Sequence, residues 1–331
     1  MAGKKTVKRG RRTDQVEPEE LAPRLLRMAS SLGGVDAAEA YVSRNMMTIA
    51  RLETLRHGTR VIGPNAQQLA TITNMEACVR LVVKGAVGTA ATIHLDERSL
   101  RTVVKDARAV ARLMSPDPNF CSLARPSGQK PVRLPPDKTI LEGGASDALL
   151  AQANNAVCCF PKGVDLAGSI IAVSEVFSVC NSNGVDTGRA EDTLAVAQLT
   201  AERVEGGDVL SSGMGWSASR CLSELDAASA ARKALELAVL EPKLRTVPEG
   251  DYDVILGPYS VADVIDNMLA PQMGMAQIYS GTSWLPAERI ANERGVALRR
   301  PKLGEAIASP AITLREDPHI PGAMCSRTFD D

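Results

Sequence analysis

The residues able to do chemistry are few and scattered. The chain has three histidines, His57, His94 and His319, and seven cysteines, at positions 78, 121, 158, 159, 180, 221 and 325. No histidine has a serine or cysteine placed beside it in sequence. A nucleophile and its base can still meet in space from distant parts of a chain, so a hydrolase with an unrecognised site stays open. His94 falls near Asp96 and Glu97 at a strand-to-helix junction and reads as a surface or capping residue. His319 follows Asp317-Pro318 in a loop. The cysteines are odd in number and lack zinc-like spacing. Adjacent Cys158 and Cys159 lie in a helical pattern and are poor partners for one disulfide. All seven read as reduced, buried thiols of a cytoplasmic protein, with redox or metal use the weaker alternative.

One stretch has the form that often carries a site. Asp253 to Leu256 reads as a short buried strand, Gly257-Pro258 as a corner, and the residues after it as a helix. Val261, Val264, Ile265, Met268 and Leu269 follow the i, i+3, i+4, i+7, i+8 pattern of one apolar helix face. Ser260 and Asp263 are spaced as a capping box, and Pro271 should stop the helix. This helix carries no His, Cys or Glu. The residues alone therefore assign no catalytic, cofactor-binding or metal-ligating side chain.

The elements around it define an α+β (α/β) chain. Residues 1–20 form a basic tail with Lys4, Lys5, Lys8, Arg9, Arg11 and Arg12, expected to be disordered. A weak arm for nucleic acid or an acidic partner is the alternative. Residues 21–115 form a first unit. Its opening helix, Pro18 to Leu32, carries Leu21, Leu25, Met28, Ala29 and Leu32 on one face. A strand from Ala38 to Leu52 follows, then a stretch to Asn74 with no clear register. Cys78–Val83 and Val87–His94 read as a hairpin about Lys84-Gly85. A helix from Asp96 to Met114 buries Leu100, Val103, Val104, Ala107, Ala111 and Met114.

Residues 116–143 are a proline-rich connector. Residues 144–240 read as helix, antiparallel meander, helix. The meander turns at Asn183-Gly184 and at Gly206-Gly207. Its last helix is expected from Ser223, with Leu225, Ala228, Ala231, Leu235 and Val239 along it. The expected sheets are antiparallel, with helices on one face and solvent on the other. Residues 248–331 open a β-rich C-terminal domain that stays incomplete, with short strands at Leu303–Ile307 and Ile312–Leu314.

Composition narrows the function classes. With 331 residues the chain has room for roughly two domains. Net charge is -1, so the whole molecule has no pull toward nucleic acid or anionic lipid. Aromatics are 3%, too few for a base-stacking platform. No apolar run spans a bilayer, and no secretory leader is visible, so a cytoplasmic location is expected.

Several stretches together resemble the TldD/PmbA family. They are Asn181-Ser-Asn-Gly184, the run Asp208–Ala238, Asp253-Val-Ile-Leu256, and Tyr279-Ser-Gly-Thr-Ser-Trp-Leu285. After them come Leu303-Gly304-Glu305, Ile312-Thr-Leu314 and Asp317-Pro318. Phe329-Asp330-Asp331 matches a Phe-Asp-x-Glu-Gly signature cut before its last two residues. The resemblance covers residues 36–331, by the order of the motifs more than by any one of them. The family has two branches. One carries His-Glu-x-x-x-His on the helix after the strand, for zinc and its activated water. The other, PmbA or TldE, lacks it and pairs with TldD in a peptidase for small or unfolded peptides. The matching window here is Asn267-Met-Leu-Ala-Pro-Gln272, with no usual zinc ligand. The resemblance thus implies a PmbA-like subunit with no cofactor of its own, a TldD-like zinc subunit as partner, and a peptide substrate. A homodimer, a non-enzymatic scaffold module, and a peptidase with its own site are the alternatives. The family normally continues with a large β-rich portion. Its absence implies a fragment or a second chain, and a sheet edge in need of a partner.

Overall fold

The computed structural model describes residues 17–57, 60–116, 120–126, 135–161, 163–240, 246–285, 287–291, 297–301, 304–315, 317, 320 and 324. The larger of its two compact units is built on one antiparallel sheet of six strands, in the order β3-β2-β1-β4-β5-β6. Its elements are α1 (Pro18–Ser30), β1 (Ala37–His57), β2 (Arg60–Val83), β3 (Ala86–Thr92) and α2 (Glu97–Leu113). After these come α3 (Lys138–Leu141), α4 (Ala145–Val157), β4 (Val164–Asn181), β5 (Ala190–Glu205), β6 (Asp208–Ser219) and α5 (Ala227–Val239). The first half runs helix, three strands, helix, and the second repeats this with the short α3 added before its first long helix. The halves meet where β1 lies antiparallel to β4 from Glu39–Asn181 to Glu53–Ala167. The strands before and after the proline-rich stretch therefore share one sheet.

Local chemistry accounts for the elements. In α1, Pro18 sits at the helix start and Glu19 and Glu20 in the first turn favour the dipole. Its Leu21, Ala22, Leu25 and Ala29 are buried. Asp96 caps α2 by accepting from the backbone N–H groups of Arg98 and Ser99. Lys84 and Gly85 both take positive φ, 51° and 76°, which a two-residue hairpin demands. Leu21, Leu25, Val42, Val79, Leu81 and Leu100 form one core under α1 and α2. Leu52, Leu149, Leu166, Ile170, Leu199 and Ala230 belong to the second, under α4 and α5. Each fully buried leucine contributes on the order of 1.5–3 kcal/mol.

Two readings of this unit change. The final helix begins at Ala227, with Asp226 as its N-cap accepting from Ser229 N–H, and a short 3₁₀ turn fills Leu222–Glu224. Its buried face is Ala227, Ala230, Ala231, Ala234 and Ala238, while Val239 is exposed. The strand beneath is the reason. A Cβ on Gly213 would fall 2.3 Å from the Ala234 carbonyl oxygen, and one on Gly215 2.0 Å from that of Ala230. The helix lies too close for larger side chains. In α2, Met114 is exposed because it is the C-cap, with extended backbone.

The second unit takes in Lys243–Asp317. It contains α6 (Pro258–Val264), a π-helical turn at Ile265–Leu269, α7 (Ala270–Met273), α8 (Met275–Ser280), and a hairpin of β7 (Ala287–Ala291) with β8 (Ala297–Pro301). The strand expected at Asp253–Leu256 does not form. That segment is irregular, with Val254 70% and Ile255 100% exposed. No strand among the described residues pairs with it, so its β-branched run has no ladder to join. Glu305–Ile307 and Ile312–Leu314 are likewise irregular. Leu303 lies outside the described residues.

Candidate functional site

The window singled out by sequence sits on a helix with a widened turn. Gly257 precedes α6 without a side-chain cap, and Pro258 occupies its first turn, where a missing N–H is harmless. Ser260 and Asp263 thus lie inside the helix and form no capping box. Ala270 N–H bonds to Ile265 C=O, five residues back, which defines the π turn. Pro271 has no N–H to offer the Asn267 carbonyl, so regular α-helical bonding fails there. The helix does not stop at Pro271 as expected. It widens, and continues as α7 to Met273.

The polar side chains of the window are used within this unit. Asn267 Nδ2 donates to the Asp263 carbonyl at 3.2 Å and to Asp263 Oδ1 at 3.4 Å. Gln272 Oε1 accepts from Trp284 N–H at 3.1 Å, and its carbonyl accepts from Ser283 Oγ at 2.7 Å. Among the described residues the window offers no imidazole, thiolate or carboxylate. The apolar face of the helix is open, with Val261, Val264 and Met268 all exposed.

In the larger unit, the Asn181–Gly184 turn holds a neighbouring backbone. Asn183 Nδ2 donates to the Leu123 carbonyl at 2.7 Å and to Ser122 Oγ at 2.9 Å. Asn181 Nδ2 donates to the Ala124 carbonyl at 3.0 Å. Asn181 Oδ1 accepts from the N–H groups of Asn183 and Val185, and Ser182 Oγ accepts from Ala38 N–H. These bonds fix the β4 end and seat Leu123, which is buried. The turn is structural.

A cleft of about 350 Å³ lies where β1, β4 and β5 end, lined by Glu53, Thr54, Asp165, Leu166 and Glu202 among others. The Thr54 hydroxyl inside it accepts from Leu166 N–H at 2.7 Å. Among the described residues no three or more His, Cys, Asp or Glu side chains are arranged to hold a metal ion. The charged cluster at Arg189 is self-contained: Glu17, Glu19 and Glu191 accept from its guanidinium, and Glu17 also pairs with Arg44.

Among the described residues the candidate nucleophiles and bases are not brought together. His94 is exposed, and its backbone N–H donates to Thr92 Oγ1. His57 is at the end of β1 with its side chain outside the described set, and His319 lies outside the described residues. Of the cysteines, Cys180 is buried, Cys78, Cys159 and Cys221 partly so, and Cys121 and Cys158 are exposed, contrary to the uniform burial expected. Burial, helped by Asp186, pushes the Cys180 thiol up to about 11. Burial first, then Glu76, raises Cys78, and burial then Glu224 raises Cys221. These three thiols stay protonated near neutrality and are poor nucleophiles. Cys325 lies outside the described residues.

Fold and window together define an α+β protein with an antiparallel six-stranded sheet and a second unit carrying a π-widened helix. Residues 249–331 match the PmbA/TldA metallopeptidase C-terminal domain. The fold is shared with TldE of Thermococcus kodakarensis, at 21% identity and a TM-score of 0.63, covering 82% of this chain and 60% of that one. It is also shared with a candidate modulator of DNA gyrase from Bacteroides thetaiotaomicron VPI-5482, at 18% identity and a TM-score of 0.62, covering 86% of this chain and 69% of that one. No curated protein matches. Residues 249–331 thus resemble the C-terminal domain of that metallopeptidase family, and the chain shares the fold of these two structures. It spans 60% of the length of the Thermococcus TldE. No helix among the described residues is long and apolar enough to cross a membrane.

Proposed function

We propose that this chain is a PmbA- or TldE-like subunit of a cytoplasmic TldD/PmbA-type metallopeptidase complex, acting on small or unfolded peptides and supplying no zinc ligand itself. The observation that carries this is the wide turn at Ile265–Leu269, which overlaps the 267–272 window. On an α-helix, residues five apart point about 140° away from each other. An i→i+5 turn brings them toward one side. A His-Glu-x-x-x-His motif needs that widening, and this chain has it without the ligands. Its two end positions are Asn267 and Gln272, amides bonded to Asp263 and Trp284. The residues present do not fit zinc, so the metal and the water it activates belong to a TldD-like partner subunit.

Mixing the purified chain with a TldD-like zinc subunit tests this. Light-scattering mass should report a hetero-oligomer, and hydrolysis of an unstructured peptide should appear or rise and be lost to a chelator. A partner whose mass and activity are unchanged by the addition overturns it.

A further inference from the structure

We propose that the free edge of β2 between Gln68 and Glu76 accepts a short extended segment of another polypeptide as an added strand. This rests on the sheet alone and holds whether or not the chain is a peptidase subunit. β2 pairs with β1 from Arg60 to Val82, but β3 covers its other side only from Ala77, opposite Thr92, to Val83, opposite Ala86. Among the described residues no strand pairs with the rest of that edge. Gln68–Glu76 is nine residues, or roughly 30 Å at about 3.3 Å each.

Edge strands are normally protected by charge, proline, bulges or shortness. Here the protection is confined to one end. Gly63, Pro64 and a register shift opposite Arg51/Leu52 interrupt the edge near the hairpin tip. From Val61 to Met75 there is no charged residue. The open part reads Gln-Leu-Ala-Thr-Ile-Thr-Asn-Met-Glu, with Leu69 42% and Ile72 48% exposed, one on each face of the sheet. Ile93, 70% exposed, follows the last residue of β3 at the closed end.

Geometry decides between occupants. If two copies paired these edges antiparallel over Gln68–Glu76, Gln67 of the copy would lie opposite Ala77. Thr92 already holds that place, and the copy's strand runs on to Arg60. Sliding the copy toward the tip sets Gly63 and Pro64 in the pairing, where proline has no N–H to give. The slot therefore suits a strand that stops at Thr92, where β3 ends. From Gln68 to Met75 the edge is uncharged, with Glu76 at its closed end, so main-chain hydrogen bonds supply the affinity and alternate β-branched or apolar side chains the fit. The occupant is an uncharged extended segment of about seven residues.

The probe is a blocked, fluorophore-labelled peptide of alternating threonine and valine, seven residues long, titrated into the full chain by anisotropy. Saturable binding is expected, with slowed amide exchange confined to residues 68–76. N-methylation of alternate peptide nitrogens, or Ile72→Lys in the protein, should weaken binding about tenfold or more. Absence of saturable binding, equal binding of the N-methylated peptide, or protection elsewhere overturns the proposal. So does protection at 68–76 that grows with protein concentration without peptide, since that means self-pairing.

Discussion

Gly215 of β6 lies directly beneath Ala230 of α5, so close that a Cβ on the glycine would sit 2.0 Å from the alanine carbonyl oxygen. Gly88 of β3 is in the same relation to α2, with Ala107 O at 2.3 Å and Ala111 N at 2.2 Å. Each half of the sheet thus seats its last helix on a glycine of its outer strand. Gly215→Val should be destabilising by about 1–3 kcal/mol or more, as overpacking of a filled core is. Gly33→Ala is the control, because a Cβ there meets nothing within 4 Å. Urea unfolding of the two variants checks this; equal stability would mean that the helix can lift off the sheet without cost.

That relation is also one the sequence does not display. The stripes of α1 and α2 were legible because leucine and valine recur at helical spacing, and three hairpin turns were legible from Lys84-Gly85, Asn183-Gly184 and Gly206-Gly207. The face of α5 was not, since its inward residues are alanines chosen by glycines some fifteen residues earlier. Pairing of β1 with β4 joins Tyr41 to Val179 and leaves no local mark. The first part of β2, up to Asn74, shows no clear register because Leu69 and Ile72 are exposed on opposite faces. At the window the residue types are legible, but a π turn has no signature in apolar spacing, so Pro271 reads as a stop.

Glu17 joins the helix entry to the sheet through Arg189 and Arg44, at 2.9 and 3.0 Å. Burial alone would raise its pKa, but hydrogen bonds from Arg189, with the charge and hydrogen bond of Arg44, hold it below the ordinary 4.5. A depressed carboxyl stabilises the fold above its unfolded pKa and loses that contribution as pH falls through its folded value. Glu17→Gln should therefore cost about 1 kcal/mol or less at neutral pH, since these pairs are partly screened by solvent. The gap to the parent should close as pH drops below 4.5. Denaturant midpoints between neutral pH and pH 3 measure it, and a gap constant with pH would contradict the account.

Pro271→Ala supplies the N–H that the Asn267 carbonyl lacks. Ile265–Leu269 should then tighten toward α register, with higher helix content by circular dichroism and slower amide exchange at residues 270–273. Unchanged exchange there would mean that the wide turn has a cause other than the proline.

The most direct test of the central claim is the zinc content of the purified chain, measured by elemental analysis after zinc loading and dialysis. The account predicts that no stoichiometric zinc is retained, because Asn267 and Gln272 are amides bonded to Asp263 and Trp284 and are not usual zinc ligands. Stoichiometric zinc held by this chain alone, and lost only to a chelator, would contradict it.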